Sequence, residues 1–484
     1  MTAKGRNRRF GAALAAVAMV LATAGGLAPA ARAAVSPASV SVLPGLAWPG
    51  LPARVTGAGF TAAEPVVFTF DGAPWGRVPA SPAGGFVTRL RLPGTAAPGP
   101  HRLVARQGTR SASATVRARL QWTQPGLYAS HRGFNWYEHR LTAQTVARAG
   151  LIYRGESWQS PGAGGMVLTQ GVIAYGTNQG AVGINAATGR VRWNLDLGSS
   201  LSGVAYDPGT GLAYFAGSTP YLYAVDPLTG KIAWSVLLPG ITLASQLILA
   251  DGTLYTAIGN GTQRQVVAVD VASRTVRWTS AWFTDHLSFS PVLSAGMVYA
   301  AGHFLSAYDA ATGETRWNVP ISDDPQALSG QLAADTTGLV IGSDDRRTRS
   351  FDPATGRLQW ATDPLGDPGE AGDAVATANG RAFICYGSQV YALDETTGAV
   401  LWQRPSTNGS LVVANGLLYS PILDPAAQTA AQTAVDAATG ELRATFQNTS
   451  ASFAEPIVAD GIIYFPGLGS VDAYGLPGTA QGPI

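Results

Sequence analysis

The sequence predicts an all-β chain: a small sandwich followed by a ring of repeated four-stranded units. Three observations carry this. Gly and Pro account for 59 and 31 of 484 residues, so turns are frequent. Short runs alternate apolar and polar residues with period two, the pattern of half-buried strands. One turn pattern, Asp-x-x-Thr-Gly with Trp four residues on, returns at intervals near forty residues. Hydrophobic content of 46% and charged content of 13% allow sizeable cores and exclude a disordered chain. The balance of 32 basic and 30 acidic residues offers no excess for a nucleic-acid partner. A single cysteine, Cys385, excludes intramolecular disulfides and Cys-rich zinc sites.

Residues 1–33 read as a signal peptide. Lys4, Arg6, Arg8 and Arg9 precede an uncharged apolar run from Phe10 to Leu27, and Ala31-Arg32-Ala33 supplies the cleavage pattern before Ala34. Arg8-Arg9 leaves the general and twin-arginine export routes both open. No cysteine follows the run to carry a lipid, and no other stretch looks transmembrane. The expected location is secreted or cell-surface. Two lysines against thirty arginines point to a GC-rich bacterial genome.

Residues 36–120 read as the sandwich. Phe86, Leu90 and Leu92 alternate with Val87, Arg89 and Arg91, and Val116, Ala118 and Leu120 with Arg117 and Arg119. About seven strands in some 85 residues fit an immunoglobulin-like β-sandwich. The stretch from Val55 to Gln107 resembles the Ig-like modules of secreted actinobacterial proteins, which space, tether or bind. A linker, 121–148, rich in aromatics, is expected to pack on the following domain. Residues 149–475 hold the repeats, and 476–484 form a tail.

The repeat anchors are Asn185, Asp226, Asp270, Asp309, Asp352, Asp394, Asp436 and Asp472, spaced by 41, 44, 39, 43, 42, 42 and 36 residues. Gly189, Gly230, Gly313, Gly356, Gly398 and Gly440 close the turns, and the acids cap them. Trp193, Trp234, Trp278, Trp317, Trp360 and Trp402 follow; Ala444 stands where a seventh is expected. Four-stranded units of this length are propeller blades, which must stack into a ring. The last unit lacks a fourth strand, and Leu151–Arg154 can supply it, with Tyr153 in the Trp position. The predicted fold is therefore an eight-bladed β-propeller closed by an N-terminal strand; seven blades with one degenerate copy is the rival.

The A-x-D-x-x-T-G-x-x-x-W pattern resembles the tryptophan-docking motif of quinoprotein (PQQ)-like propellers over residues 149–475. The resemblance implies that each Trp packs on a neighbouring blade, a structural role. It also raises a pyrroloquinoline quinone and calcium cofactor and an alcohol- or sugar-dehydrogenase activity. The alcohol dehydrogenases of that family carry adjacent cysteines and longer insertions; this chain has neither.

The acid clusters Asp323-Asp324, Asp344-Asp345 and Asp363 to Glu370 read as solvated loops. His131, Glu138 and His139 match no metal spacing, and Asp285-His286 and His303 are isolated. No nucleophile elbow or phosphate loop is present. Trp75, Trp122, Trp136, Trp158 and Trp282 lie outside the repeat and are free for a binding surface. The expectation is a non-catalytic interaction or scaffold protein with a protein or cell-wall polymer as partner. A quinone-dependent dehydrogenase and a carbohydrate- or wall-polymer-binding protein are the alternatives.

Charge is unevenly spread. Residues 1–33 carry +5, 34–120 carry +7 and 121–484 carry −10. The small domain's arginines are expected on wet strand faces. There they would contact acidic wall polymers or dock the domain on the acidic ring through salt-sensitive attraction.

Overall fold

The computed structural model describes residues 36–479 apart from 156–160, 162–163, 240–244, 260–262, 285–289, 325–328, 336, 368–371, 408, 425–428, 448–453 and 468. The signal-peptide expectation, Trp158, Asp285-His286 and residues 368–370 of the third acid cluster lie outside the described residues.

The small domain is two sheets over one core. A three-stranded sheet joins Ser39–Leu43, Pro52–Ala58 and Phe86–Arg91. A five-stranded sheet orders Leu46–Ala47, Arg110–Ala118, Gly99–Gln107, Pro65–Phe70 and Ala73–Pro79. Alternation does what the sequence predicts: Phe86 and Leu92 are buried while Val87, Arg89 and Arg91 face water. Val55, Phe68, Leu103 and Val116 fill the space between the sheets.

Eight sheets follow, each with four main strands; Phe283–Thr284 adds a fifth to the third and Phe134–Asn135 a fifth to the seventh. Seven are built from consecutive strands, the first from Met166–Thr169, Val172–Gly176, Gly180–Asn185 and Val191–Asp196. The next six span 201–237, 248–279, 292–320, 329–361, 372–405 and 412–447. The eighth joins Ile457–Ala459, Ile462–Pro466 and Val471–Gly475 to Gly150–Arg154 from the other end of the chain. Its register pairs Leu151 with Tyr474 and Tyr153 with Ala473. The first strand of each sheet touches the first strand of the next, and that of the eighth touches that of the first. The contacts are therefore cyclic.

The repeated turns behave alike. Asp309 Oδ1 accepts from the N–H groups of Ala311 and Thr312, both at 3.0 Å, and the Gly313 N–H donates to its carbonyl at 2.8 Å. Asn185, Asp226, Asp352, Asp394 and Asp436 make equivalent side-chain bonds. Asp270 accepts from Ser273 instead.

Asp472 is a correction. It lies inside the strand Val471–Gly475, fully buried, opposite Phe465 and Arg154. Where Asp309 pairs with Met297, the first residue of its neighbouring strand, the eighth sheet pairs Gly475 with Ile462. Gly475, not Asp472, holds the anchor place. The short final spacing was the sign of this slip.

The tryptophans link successive sheets. The indole N–H of Trp193 donates to the Pro227 carbonyl at 2.7 Å, Trp278 to Ala310 at 3.0 Å and Trp317 to Pro353 at 3.1 Å. Trp360 donates to Glu395 at 2.9 Å and Trp402 to Ala437 at 3.3 Å. Each acceptor sits in the next sheet's turn. Trp234 meets Arg274, whose guanidinium lies 5.6 Å over its ring. At the seventh seam Phe446 packs 5.2 Å from Tyr474 and 5.4 Å from Phe465, taking over from the missing Trp.

Candidate functional site

The linker closes one mouth of the ring. Between residues 122 and 135 it makes one circuit and bonds to the first strand of every sheet in chain order. Trp122 exchanges backbone bonds with Leu168 at 2.8 and 2.9 Å. Tyr206 N–H donates to the Thr123 carbonyl at 2.6 Å. Gln124 replaces backbone with side chain, accepting from Leu249 N–H at 2.7 Å. The carbonyls of Ala129, Ser130, Arg132 and Gly133 then accept from Leu293, Ala334, Thr377 and Val413 at 2.7–2.9 Å. Asn135 Nδ2 finishes on the Val458 carbonyl at 2.7 Å.

Tight curvature is written into this strap. Gly126, Leu127, His131 and Gly133 all have positive φ, at 73°, 66°, 50° and 58°. A Cβ on Gly126 would stand 2.6 Å from His131 Cα, so only glycine fits there. Leu127 and His131 adopt the left-handed region at a cost of order 1 kcal/mol each, offset by the eight anchoring points. The inner strands' edge N–H groups find partners this way instead of facing an open channel.

Beneath the strap lies a small polar cavity. Gly126, His131 and Gly133 form its roof; Gln246, Gln331, Ser410 and Glu455 line its wall. About 10 Å³ is left for the centre of a water-sized body, room for one water. Glu455 Oε2 accepts from Gly126 N–H at 2.5 Å. Its Oε1 and His131 Nε2 are buried with no protein partner. Burial pushes Glu455 up to about 8, against the pull of the Gly126 bond, and pushes His131 down to about 4. Both groups are therefore held neutral near pH 7.

The strap is also pinned by charge. Arg132 reaches Asp335 at 3.6 Å and donates to Thr377 Oγ1 at 3.1 Å. Burial, with the adjacent Asp335, raises Glu395 to about 7.

The three linker groups first considered for a metal do not converge. His131 enters the cavity, and His139 is exposed. Glu138 is consumed by backbone: Oε1 accepts from Arg140 and Leu141 N–H at 2.6 and 3.0 Å, Oε2 from Gly461 N–H at 2.9 Å. Among the described residues no three His, Cys, Asp or Glu side chains gather as a metal site.

Other singled-out residues scatter. Trp122 is fully buried in the ring's core, and Trp75 donates to the Arg91 carbonyl within the small domain at 2.8 Å. Trp136 is 45% exposed and stacks on Tyr128 at 4.5 Å, with Phe134 and Tyr137 beside it. Trp282 is also exposed. His303 sits half-buried on the fourth sheet's hairpin. Cys385 is buried.

Asp323, Asp324 and Asp363 are exposed, as the loop reading requires, but Asp345 is not a solvated acid. It pairs with buried Arg349 and accepts from Ser322 Oγ at 2.9 Å. Burial alone would raise it; the Arg349 and Ser343 bonds outweigh that and hold it well below the usual carboxylate range.

Arg119 is a second correction. It is not on a wet face: it is 6% exposed, 3.6 Å from Asp460 of the eighth sheet and 5.3 Å over the Trp48 ring. Trp48 itself belongs to the ring's main apolar cluster, so the small domain docks chiefly by burial.

Residues 139–239, 218–385 and 386–470 match the PQQ_2 protein family, whose description is outer membrane protein assembly factor BamB. An assembly factor of that name from Burkholderia pseudomallei is 26% identical over 252 residues, 48% of this chain and 62% of the relative. A tetrathionate hydrolase from Acidithiobacillus ferrooxidans is 25% identical over 292 residues, 57% of this chain and 51% of the relative. The chain thus spans about half to three fifths of these relatives' length. Among solved structures, the quinohemoprotein alcohol dehydrogenase of Comamonas testosteroni superposes with a TM-score of 0.61 at 14% identity, covering 75% of this chain and 82% of that one. BamB of Moraxella catarrhalis superposes with a TM-score of 0.52 at 17% identity, covering 68% and 100%. At these identities the structures share the fold alone. The family match covers more than half of the chain, which therefore belongs to the BamB-like family of PQQ-repeat β-propellers.

Proposed function

We propose that this protein is a secreted, non-catalytic interaction scaffold: an immunoglobulin-like module docked on an eight-bladed propeller whose centre is structural. The observation that carries this is the strap. A channel crossed by fourteen residues of its own chain, with room for one water beneath, offers no substrate chamber at that end. Function then falls to the outer surfaces, where the Trp136 cluster stands exposed. A protein partner is in keeping with the name of the family, an assembly factor.

The fold neighbours bring pyrroloquinoline quinone with calcium into question. The lining of the cavity beneath the strap does not fit them. Calcium takes six to eight oxygen ligands, carboxylates prominent among them. The lining offers one carboxyl, Glu455, held neutral by burial and with one oxygen already on Gly126. Calorimetric titration of the full chain with quinone and calcium tests the reading, and no saturable heat is expected. Stoichiometric binding with dye-linked alcohol oxidation would overturn it. Photo-crosslinking from position 136, with position 363 as control, should give a discrete product with the partner from position 136 only.

A further inference from the structure

The small domain and the ring enclose a cleft of about 600 Å³, within the size range of small-molecule sites. Buried Trp48 and half-buried Leu51 supply apolar surface. Four arginines line the cleft: Arg54, Arg89, Arg119 and Arg140.

Two of these are already engaged. Arg119 has Asp460 and the Trp48 face, and Arg140 donates to the Asp460 carbonyl at 3.3 Å. Arg54 and Arg89 are different. They stand directly opposite each other on adjacent antiparallel strands. Among the described residues no carboxylate lies within ion-pair distance of either. Like charges placed opposite destabilise a sheet. An anion between two guanidiniums removes that repulsion and accepts several charge-assisted hydrogen bonds. Leu43, 58% exposed, is the residue opposite Arg54 on its other side. It continues the row with an apolar surface that water covers poorly.

We propose that this cleft binds an anionic amphiphile, its phosphate or carboxylate held between Arg54 and Arg89 and its apolar body against Leu43, Leu51 and Trp48. This stands independently of the ring's scaffold role.

The test titrates the full chain with hexyl phosphate, inorganic phosphate and hexanol by calorimetry. Hexyl phosphate should bind saturably at one site, at least tenfold tighter than either fragment. The double variant Arg54→Gln/Arg89→Gln should bind at least tenfold more weakly. Its thermal midpoint should be unchanged or raised, since a like-charge pair is gone. Co-sedimentation with phosphatidylglycerol vesicles, lost in the double variant, would assign the anion to a lipid headgroup. Hexyl phosphate binding without vesicle binding would assign it to a free amphiphile. No saturable binding of hexyl phosphate overturns the proposal. So does equal affinity in the double variant, or an equal loss in the variant Arg357→Gln, an exposed arginine in the fifth sheet's turn.

Discussion

Tyr153 rests on Gly189 across the seam where the two ends of the ring meet. Its hydroxyl donates to the Ala186 carbonyl at 3.0 Å, and its ring lies where a Gly189 side chain would stand. It does for the closing seam what the tryptophans do elsewhere, from a strand more than three hundred residues away from its sheet partners. Tyr153→Phe should cost about 1 kcal/mol, the net worth of one hydrogen bond. Tyr153→Ala should cost about 2–4 kcal/mol by opening a cavity at the closure. Denaturant midpoints at constant slope check both values. A loss in the alanine variant no larger than in the phenylalanine variant would show that the ring face adds nothing.

The third and fourth turns test the same logic from the other side. Gly313 has φ +75°, and a Cβ there would stand 2.6 Å from Trp278, so Gly313→Ala should cost roughly 1–3 kcal/mol. Arg274 fills the corresponding place in the Trp234 dock with φ 60° and a cation over the ring. Arg274→Gly relieves the backbone while losing the cation–π contact, each about 0.5–1 kcal/mol, and should be near neutral. Arg274→Ala keeps the strained backbone and loses the contact, so it should be the worse of the two. Equilibrium denaturation ranks them.

Much of the ring was legible because its signals are local. A turn acid bonds to backbone two and three residues on, and a Trp follows the turn glycine at fixed distance. Periodicity reports such things directly. Asp472 misled because an acid three residues before Gly475 imitates the anchor, and only strand register separates them. The strap was harder. Six of its eight anchoring points are made by its backbone, at Trp122, Thr123, Ala129, Ser130, Arg132 and Gly133, which leaves no side-chain signature. The cluster of Gly and aromatics in 126–137 was the only trace. Arg119 looked like its wet-face neighbours because alternation cannot tell solvent from a docked domain.

The buried groups under and around the strap set a pH dependence. Glu455, Glu395 and Asp460 are raised to about 8, 7 and 6, each chiefly by burial. For a raised acid the folded state binds the extra proton, so stability is full below the unfolded pKa and falls as pH rises through the folded one. His131, lowered to about 4 by burial, acts oppositely: stability is lost as pH falls from about 6.5 towards 4. Between pH 4.5 and 6.5 His131 and Glu455 nearly cancel. Above pH 7 Asp460 is spent, Glu395 completes its titration, and Glu455 supplies most of the remaining fall. Stability should therefore drop from pH 7 to 8, by up to about 1.4 kcal/mol. Glu455→Gln keeps an acceptor for Gly126 and should flatten that interval. Chemical denaturation at pH 7.0, 7.5 and 8.0 decides it, and a drop of equal size in the variant would acquit Glu455.

Docking of the small domain should resist salt. The Arg119–Asp460 pair lies at 3.6 Å with side chains only 8% and 19% exposed, and Trp48 is buried beside it. Ions screen exposed charges far better than buried ones, and the apolar share of the contact strengthens slightly in salting-out conditions. Attraction between a basic arm and an acidic ring predicts the reverse. Raising NaCl from 0.05 to 0.5 M should change the stability of the docked form by less than about 0.5 kcal/mol. Arg119→Met should cost about 3 kcal/mol, because it leaves Asp460 buried without its cation. Adding Asp460→Asn should return most of that loss, since a neutral amide no longer needs the pair. Limited proteolysis at the 119–123 junction reads the outcome: the single variant is cut faster than the native chain, and the double variant is protected again. If the native chain itself loses protection in 0.5 M salt, the contact is electrostatic after all and the buried-pair account fails.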